Sequence, residues 1–243
     1  MPKLSVLTPA SAGGTRAAEV VARLKEAMFL GIVSPGEQLP TEVDLARQFG
    51  VAPMTIREAL SALRDMGLVE TRRGRTGGSF VRRQAQLMTD ESLAHLQELS
   101  ISQLRDLMDE AEAVDGQSAR LAARRASSAN LARLRDLVDS LINADNVADR
   151  VRADSRFHIE LAVAAHSERL TRAAVRIQAE LSSMLWLDLC EGPDVKLVAG
   201  AHRAIAEAVA AGEEDLARDL AEQHSRSAMA RLVDLHLIAT RES

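Results

Sequence analysis

Apolar and polar positions alternate with helical spacing in two short segments between residues 41 and 67. In the first segment, Leu45 and Phe49 fall on one helical face. Thr41 precedes them as a candidate N-cap, and Gly50 follows as a residue that ends a helix at little cost. The second segment opens at Pro53, which the first turn of a helix tolerates. The two segments therefore predict a helix-turn-helix, whose second helix buries Ile56, Ala59, Leu60 and Leu63.

After Gly67 the pattern changes to two short runs with strand character. Residues 68–71 and 79–81 contain β-branched and aromatic side chains, and the loop between them carries three arginines and three glycines. This pattern predicts a basic two-stranded wing. The second helix leaves outward a set of side chains that can donate to phosphates and base edges, namely Met54, Thr55, Arg57, Ser61 and Arg64. Together the wing and this helix predict a DNA-binding domain.

From about residue 86 onward, apolar residues recur every three or four positions without a convincing strand pattern. Helices are predicted around Leu104–Ala111, Leu131–Leu141 and Val151–Ala165, and at about 168–189, 194–211 and 213–238. The breaks between them are short, so neighbouring helices should pack antiparallel. The predicted fold is mainly α, with an N-terminal winged helix-turn-helix and a C-terminal antiparallel all-α bundle of six or seven helices.

Charge supports a division into two domains. Through residue 85 there are 12 Lys and Arg against 8 Asp and Glu, and after it 18 against 27. Residues 72–83 hold five arginines and no acidic residue, which favours contact with phosphates. We expect a flexible N-terminus at 1–14, the winged domain at 15–83, a linker at 84–89, and a helical domain at 90–243.

Cysteine use and hydropathy indicate the compartment. Cys190 is the single cysteine, so no intrachain disulfide can form, as suits a reducing cytoplasm. The N-terminus lacks the apolar run of a secretory signal, and nowhere do about 18 apolar residues follow one another. The sequence therefore predicts a cytoplasmic protein without a membrane partner.

Four polar side chains lie on otherwise apolar stripes of the predicted bundle. Asp154 and His158 are four residues apart, so both project from one helical face. His202 lies ten residues before Gly212 and His224 twelve after it. In a helical hairpin turning at Gly212, the two histidines would sit roughly 15 and 18 Å from the bend, at nearly the same level.

Burying three imidazoles and a carboxylate without partners is costly, and a divalent metal ion removes that cost for all four. Nitrogen and oxygen donors suit zinc first, with nickel, manganese and iron as alternatives. Each residue alone has a simpler explanation, because a single buried histidine is more often a satisfied core residue than a ligand. The joint pattern favours a metal site, and both explanations stay open at this point.

Several motifs resemble the winged-helix domain of the GntR family of bacterial transcriptional regulators over about residues 15–83. These are PGEQLPTE, the LA-x-x-FGV turn, TIREAL, the GLV before the wing, and GGSFV. The resemblance implies double-stranded operator DNA as partner, and the candidate contacts are Thr55, Arg57, Arg64, Arg73, Arg75 and Gly77. Ala52, Pro53 and Val43 replace residues that family members commonly use, so recognition should rest on Thr55, Arg57 and the arginine-rich wing.

The helical half resembles the FCD ligand-binding domain of the FadR-like subfamily. The motifs that carry the resemblance are DSRFH at residues 154–158, the stretch that begins at His202 and continues through Gly212, and His224. In metal-containing members, an aspartate and three histidines at these positions hold a divalent ion, and a small organic acid completes its coordination. Carried over, the metal ligands are Asp154, His158, His202 and His224.

The residues that would contact the effector stay unknown. Family members often carry an arginine that contacts the effector and then a glutamate, where Ala111 and Asp115 stand here. The leading hypothesis is a homodimeric transcription factor on an inverted repeat, with repression relieved by a small carboxylate.

Two other functions compete with this hypothesis. In one, the protein senses the metal ion directly, and nothing in the four ligands excludes it. In the other, the bundle is a metalloenzyme, but the Glu-x-x-His pairs of di-metal bundles are absent. The residues three positions before the histidines are Ser92, Ser155, Val163, Ala199, Ala221 and Val233. An enzyme is therefore not predicted.

Overall fold

A computed structural model describes residues 15–74, 77–82, 87–189 and 192–241. The chain divides into two units, Met1–Gln84 and Ala85–Ser243. The predicted flexible N-terminus, residues 1–14, lies outside the described residues. Among the described helices, none combines the length and the apolar character that crossing a membrane requires.

The N-terminal unit is a helix-turn-helix with a two-stranded wing, as the sequence predicts. Its elements are α1 (Arg16–Phe29), α2 (Glu42–Phe49), α3 (Pro53–Asp65), β1 (Val69–Arg72) and β2 (Gly78–Val81). The two strands are antiparallel, with Val69 opposite Val81 and Arg72 opposite Gly78. Leu24, Leu45, Ile56 and Leu63 are fully buried and hold the three helices together.

Local signals explain where α2 begins and ends and where α3 begins. The Thr41 hydroxyl accepts the backbone N–H of Asp44, which satisfies one free donor at the start of α2. Gly50 ends α2 in the left-handed region at φ 67°. Pro53 occupies the first turn of α3, where its missing N–H costs nothing. The turn between the helices is therefore encoded by a few residues.

Seven helices form the described part of the C-terminal unit. They are α4 (Leu87–Glu98), α5 (Ile101–Arg125), α6 (Ser128–Ile142), α7 (Val147–Ala164), α8 (Glu168–Leu185), α9 (Val195–Ala211) and α10 (Glu214–Arg241). Because α4 begins at Leu87, the last residues of the predicted 84–89 linker are helical. The end of α8 also differs from the prediction, since Trp186 is its C-cap and the expected helix over 186–189 does not form.

The longest helices, α5 and α10, pack extensively against each other and position the interior polar groups. A Cβ at Gly116 would lie 2.7 Å from the Glu222 side chain, so glycine there permits the close approach of α10. Leu104, Met108 and Ala111 of α5 join Leu181 and Leu235 in one apolar core. This core fixes the helical faces from which the polar residues project.

Candidate metal centre and DNA-binding surface

The structure brings together all four residues that the sequence selects as metal ligands. Asp154 and His158 project from consecutive turns of α7, His202 comes from α9 and His224 from α10. Each offers one ligand atom, and these atoms all lie within 4.8 Å of one another. The helical hairpin that turns at Gly212 thus places His202 and His224 at the same level, as the residue spacing predicts.

The cluster is compact and shielded from solvent. His202 Nε2 lies 3.1 Å from His224 Nε2 and 3.5 Å from Asp154 Oδ1. His202 is fully buried, Asp154 and His158 are buried, and His224 is half-buried. Two nitrogens that share a zinc ion at about 2.1 Å lie about 3.0 to 3.4 Å apart, so the observed separation fits a common ligand.

Two of the imidazoles, His202 and His224, are unprotonated near pH 7 and can therefore bind a metal ion. Burial, followed by the nearby His224 and His158, lowers the pKa of His202 well below its usual value. Burial and then His158 lower the pKa of His224 to about 4. Both rings are therefore neutral near pH 7, and a neutral imidazole nitrogen is the form that binds a metal ion.

Asp115 of α5 is a member of the cluster that sequence reasoning did not select as a site residue. Its Oδ2 lies 3.0 Å from His158 Nδ1, outside the direction of a well-formed hydrogen bond, and accepts the Ser225 hydroxyl at 3.2 Å. Burial alone would lower the pKa of His158, but Asp115 and then Asp154 outweigh it and raise this pKa to about 9. Asp115 and Asp154 therefore favour a positive charge on His158, which is a proton in the metal-free protein and which a bound metal ion would have to replace.

Two aromatic side chains contact the candidate ligands Asp154 and His202. Trp186 Nε1 donates to Asp154 Oδ2 at 3.1 Å, which leaves Oδ1 on the side of His202. The ring of Phe157 stacks on His202 with centroids 4.0 Å apart and planes 7° apart. Burial raises the pKa of Asp154, while His158 and the Trp186 hydrogen bond oppose that change. Trp186 is buried, and no signal in the sequence near it indicates its contact with Asp154.

A satisfied core histidine is the simpler explanation for His202, and the contacts argue against it. His202 Nδ1 is buried without a hydrogen-bond partner among the described residues, and Nε2 faces a second histidine and a carboxylate. Buried polar atoms are normally paired, and a cation bound between the two histidines and the carboxylate would give these buried atoms a partner. The residues present fit a divalent metal ion.

A cavity of about 740 Å³ adjoins the cluster within the C-terminal unit. Asp115, Asp154, His158 and His224 form part of its wall. Trp186 also lines it, so the same residue both positions Asp154 and borders the cavity. A ligand in the cavity would therefore lie next to the metal donors.

In the N-terminal unit, α3 presents the predicted DNA-contacting side chains. Thr55 is half-buried in its first turn, and Arg57 and Arg64 are exposed. Arg57 Nε pairs with Glu42 Oε2 of α2 at 2.8 Å, and Arg64 Nη1 lies 3.5 Å from Thr71 Oγ1 of β1. The sequence did not identify Glu42 as a partner. The arginine heads therefore lie on the outer face of the helix-turn-helix.

The wing residues fall at the loop between β1 and β2. Arg73 is exposed, and Arg75 lies outside the described residues. A Cβ at Gly77 would meet the Arg72 carbonyl oxygen at 2.5 Å and the Gly74 carbonyl oxygen at 2.8 Å, so the tight loop requires glycine. Gly77 is therefore required by the backbone conformation of the wing, independently of any contact that it makes with DNA.

Two family models match the chain, one in each of its two domains. The family model described as bacterial regulatory proteins, gntR family, matches residues 16–81, and the FCD domain model matches residues 106–227. The chain belongs to the GntR family. Its winged helix-turn-helix and its helical domain are the two parts that the sequence motifs indicate.

Several curated proteins are similar to this GntR-family chain. RmpR of Mycobacterium gastri, an HTH-type transcriptional regulator by name, is 41% identical over 225 residues, which are 92% of this chain and 82% of that protein. The Glc operon transcriptional activator of Escherichia coli K12 is 30% identical over 159 residues, 63% and 62% of the two chains. LutR of Bacillus subtilis is 29% identical over 190 residues, 75% and 85% of the two chains.

A solved structure supports the fold. Escherichia coli McbR/YncC superposes with a TM-score of 0.53 at 16% identity, covering 91% of this chain and 99% of that one. As a member of the GntR family, the chain is a DNA-binding transcriptional regulator built from a winged helix-turn-helix and a helical domain, and its family and relatives are transcriptional regulators rather than enzymes.

Trp186→Phe tests the positioning of Asp154. The substitution keeps an aromatic ring in the core but removes the N–H that Asp154 Oδ2 accepts. Loss of a hydrogen bond to a metal ligand costs roughly 10-fold to 100-fold in metal affinity, and we expect a change in that range for zinc. Competition with a chelator of known affinity measures it. Unchanged zinc affinity in a folded variant would show that the Trp186 contact does not position the carboxylate.

Proposed function

We propose that this regulator binds an inverted-repeat operator as a homodimer, and that a small carboxylate bound with a divalent metal ion controls its operator affinity. Zinc suits the donors best, and nickel, manganese or iron also fit. The proposal places DNA binding in residues 15–83 and metal binding, effector binding and dimerisation in residues 90–243. It also places the protein in the cytoplasm, as a repressor that the effector releases.

The observation that supports metal control most strongly is the convergence of four donors, three of them buried and one half-buried, beside a cavity. Asp154, His158, His202 and His224 would hold the ion, and the cavity gives a ligand access to the same place. A bound divalent ion would supply positive charge and open coordination positions for an effector carboxylate. The ligands come from α7, α9 and α10, so binding there can alter how these helices pack.

DNA recognition is proposed to rest on α3 and the wing. Thr55, Arg57 and Arg64 lie on one helix, and Arg73, Arg75 and Gly77 belong to the wing loop. Arg57 binds Glu42 in the free protein, so operator contact has to replace that pair. An exposed pair of this kind contributes under about 1 kcal/mol, and a charged contact to DNA exceeds it.

Direct metal sensing is the second candidate, since the same four donors would serve it. One experiment separates the two functions once an operator has been selected from fragments of the source genome. Fluorescence anisotropy of the labelled operator is recorded with chelated protein, zinc-loaded protein, and zinc-loaded protein with a panel of acids. The panel contains monocarboxylates from acetate to octanoate and dicarboxylates from succinate to suberate.

Carboxylate control predicts that at least one acid weakens operator binding by about tenfold or more, and only in the zinc-loaded sample. Direct metal sensing predicts that zinc alone gives the full change and no acid adds to it. No difference among the three samples, across this panel and a second metal, would reject both forms of control.

A further inference from the structure

The wall of the cavity next to the metal donors has a polar part and an apolar part. The polar part includes Asp115, Asp154, His158 and His224. Most of the other lining residues are apolar, among them Met108 and Ala111 of α5, Leu181 and Leu185 of α8, and Leu220 and Leu235 of α10. A ligand whose carboxylate lies at the polar part would therefore place the rest of its body against apolar surface.

Ala111 places apolar surface beside the polar part of the wall. Ala111 precedes Asp115 by one turn of α5, so both side chains project from the same face of the helix. Both residues line the cavity. Helix α5 thus offers apolar contact directly next to Asp115.

The rim continues the apolar wall out to solvent. Leu197 of α9 lines the cavity and is 73% exposed, more than any other large apolar residue among those described. An exposed leucine at the mouth of a cavity is removed from water when a ligand with an apolar body binds. The volume of about 740 Å³ lies in the range that accommodates drug-sized ligands and far exceeds what a two-carbon or three-carbon acid fills.

The charges on the wall give a second anionic group no net attraction. Asp115 and Asp154 lie at the metal centre, and the remaining charged lining residues that the structure describes are Asp194 and Asp234 against Lys196 and Arg231. Arg231 donates from Nε to the Leu185 carbonyl at 2.9 Å and from Nη2 to the Leu187 carbonyl at 3.0 Å, and these bonds hold its guanidinium against the end of α8. The two cations and the two carboxylates balance, so a carboxylate beyond the metal site would lose its hydration without gaining a net counter-charge.

We infer that the effector is a monocarboxylate with an extended apolar body, and that short acids and dicarboxylates are poor ligands. The inference rests on the proposed function, because the carboxylate binds at the metal centre. The apolar body packs along the wall between Ala111 and Leu197, and each additional methylene removes apolar surface from water.

The test is a chain-length series on the zinc-loaded full chain. Acetate, butyrate, hexanoate and octanoate are compared with succinate, adipate and suberate. Trp186 is the single tryptophan and the chain has no tyrosine, so its fluorescence reports on the cavity that it lines. Isothermal titration calorimetry gives the affinity independently. We expect about threefold to fourfold tighter binding per methylene from butyrate to octanoate, and suberate at least about tenfold weaker than octanoate.

A rim variant has a matched control. Leu197→Ser should lose more affinity for octanoate than for acetate, whereas Leu216→Ser removes a leucine that is 47% exposed and lies outside the cavity wall. Both positions are exposed, so neither substitution disturbs the core. The control is expected to keep the chain-length dependence of the parent protein.

Affinity that is flat or falls with chain length, or suberate binding as tightly as octanoate, would overturn the inference. In that case operator release by a short acid or a dicarboxylate would leave the proposed function standing. Absence of binding by every acid in the series, by both readouts, would overturn the inference and the carboxylate control together.

Discussion

His202→Ala is expected to abolish stoichiometric metal binding. His202 is fully buried at the centre of the cluster, with its Nε2 facing both His224 and Asp154. Structural zinc sites supply about 10 to 16 kcal/mol from four ligands, so losing one ligand should weaken zinc affinity by at least about a hundredfold. Elemental analysis after dialysis against a weak chelator should give about one zinc per parent chain and less than about a tenth in the variant.

The same substitution should remove the stabilisation that the metal gives. A ligand at a thousand times its Kd stabilises the folded state by about 4 kcal/mol, so zinc should raise the melting temperature of the parent protein clearly. The variant should melt at the same temperature with zinc and with chelator. His95→Ala is the matched control, because His95 lies on α4 and its side chain is 42% exposed. A variant that retains full zinc content would contradict the four-ligand centre.

Arg57→Ala is expected to weaken operator binding by about tenfold to a hundredfold. Arg57 is exposed on α3, and a bidentate contact from arginine to a base is worth about 1 to 3 kcal/mol. If Arg57 instead contacts a phosphate, the slope of log affinity against log salt should fall by about 0.9. Anisotropy titrations at several salt concentrations distinguish the two contacts.

Arg172→Ala serves as the control for charge. Arg172 lies on α8 in the other unit, and it pairs with Glu168 as Arg57 pairs with Glu42. The two variants change the net charge equally, so only a local contact makes their affinities differ. Equal affinity for the operator in both variants would remove Arg57 from the contact surface.

The winged helix-turn-helix could be predicted because its signals are local. Thr41, Gly50 and Pro53 each act on the backbone within a few residues, so their effect does not depend on the rest of the fold. The wing likewise follows from short strand-forming runs around a glycine-rich loop. β1 spans 69–72 instead of the predicted 68–71, and β2 begins one residue earlier than predicted, because Arg72 pairs with Gly78.

The end of α8 could not be predicted, because its cause lies far away in sequence. The run Leu185, Trp186, Leu187 contains no glycine or proline, so the sequence predicts that the helix continues through it. In the structure, Arg231 binds the carbonyl oxygens of Leu185 and Leu187. Arg231 thereby satisfies backbone groups that a longer helix would have paired, and Trp186 is free to reach Asp154.

The four candidate metal donors could be selected from the sequence, whereas the contacts that support them could not. Asp154, His158, His202 and His224 stand out as polar residues on apolar stripes. Asp115 carries the same signal, since it follows the buried Ala111 by four residues, and it could have been selected on that ground. Its pairing with His158 depends on how α5 packs against α7, which the sequence alone does not specify.

The coupling of the metal centre to DNA binding is the central claim, and acid-induced operator release tests it most directly. Zinc-loaded parent protein and His202→Ala are bound to labelled operator and titrated with the acid that binds the parent most tightly. The account predicts release of the parent and retained operator binding by the variant at every acid concentration. Release of both proteins at the same acid concentration, or of neither, would contradict control through the metal centre.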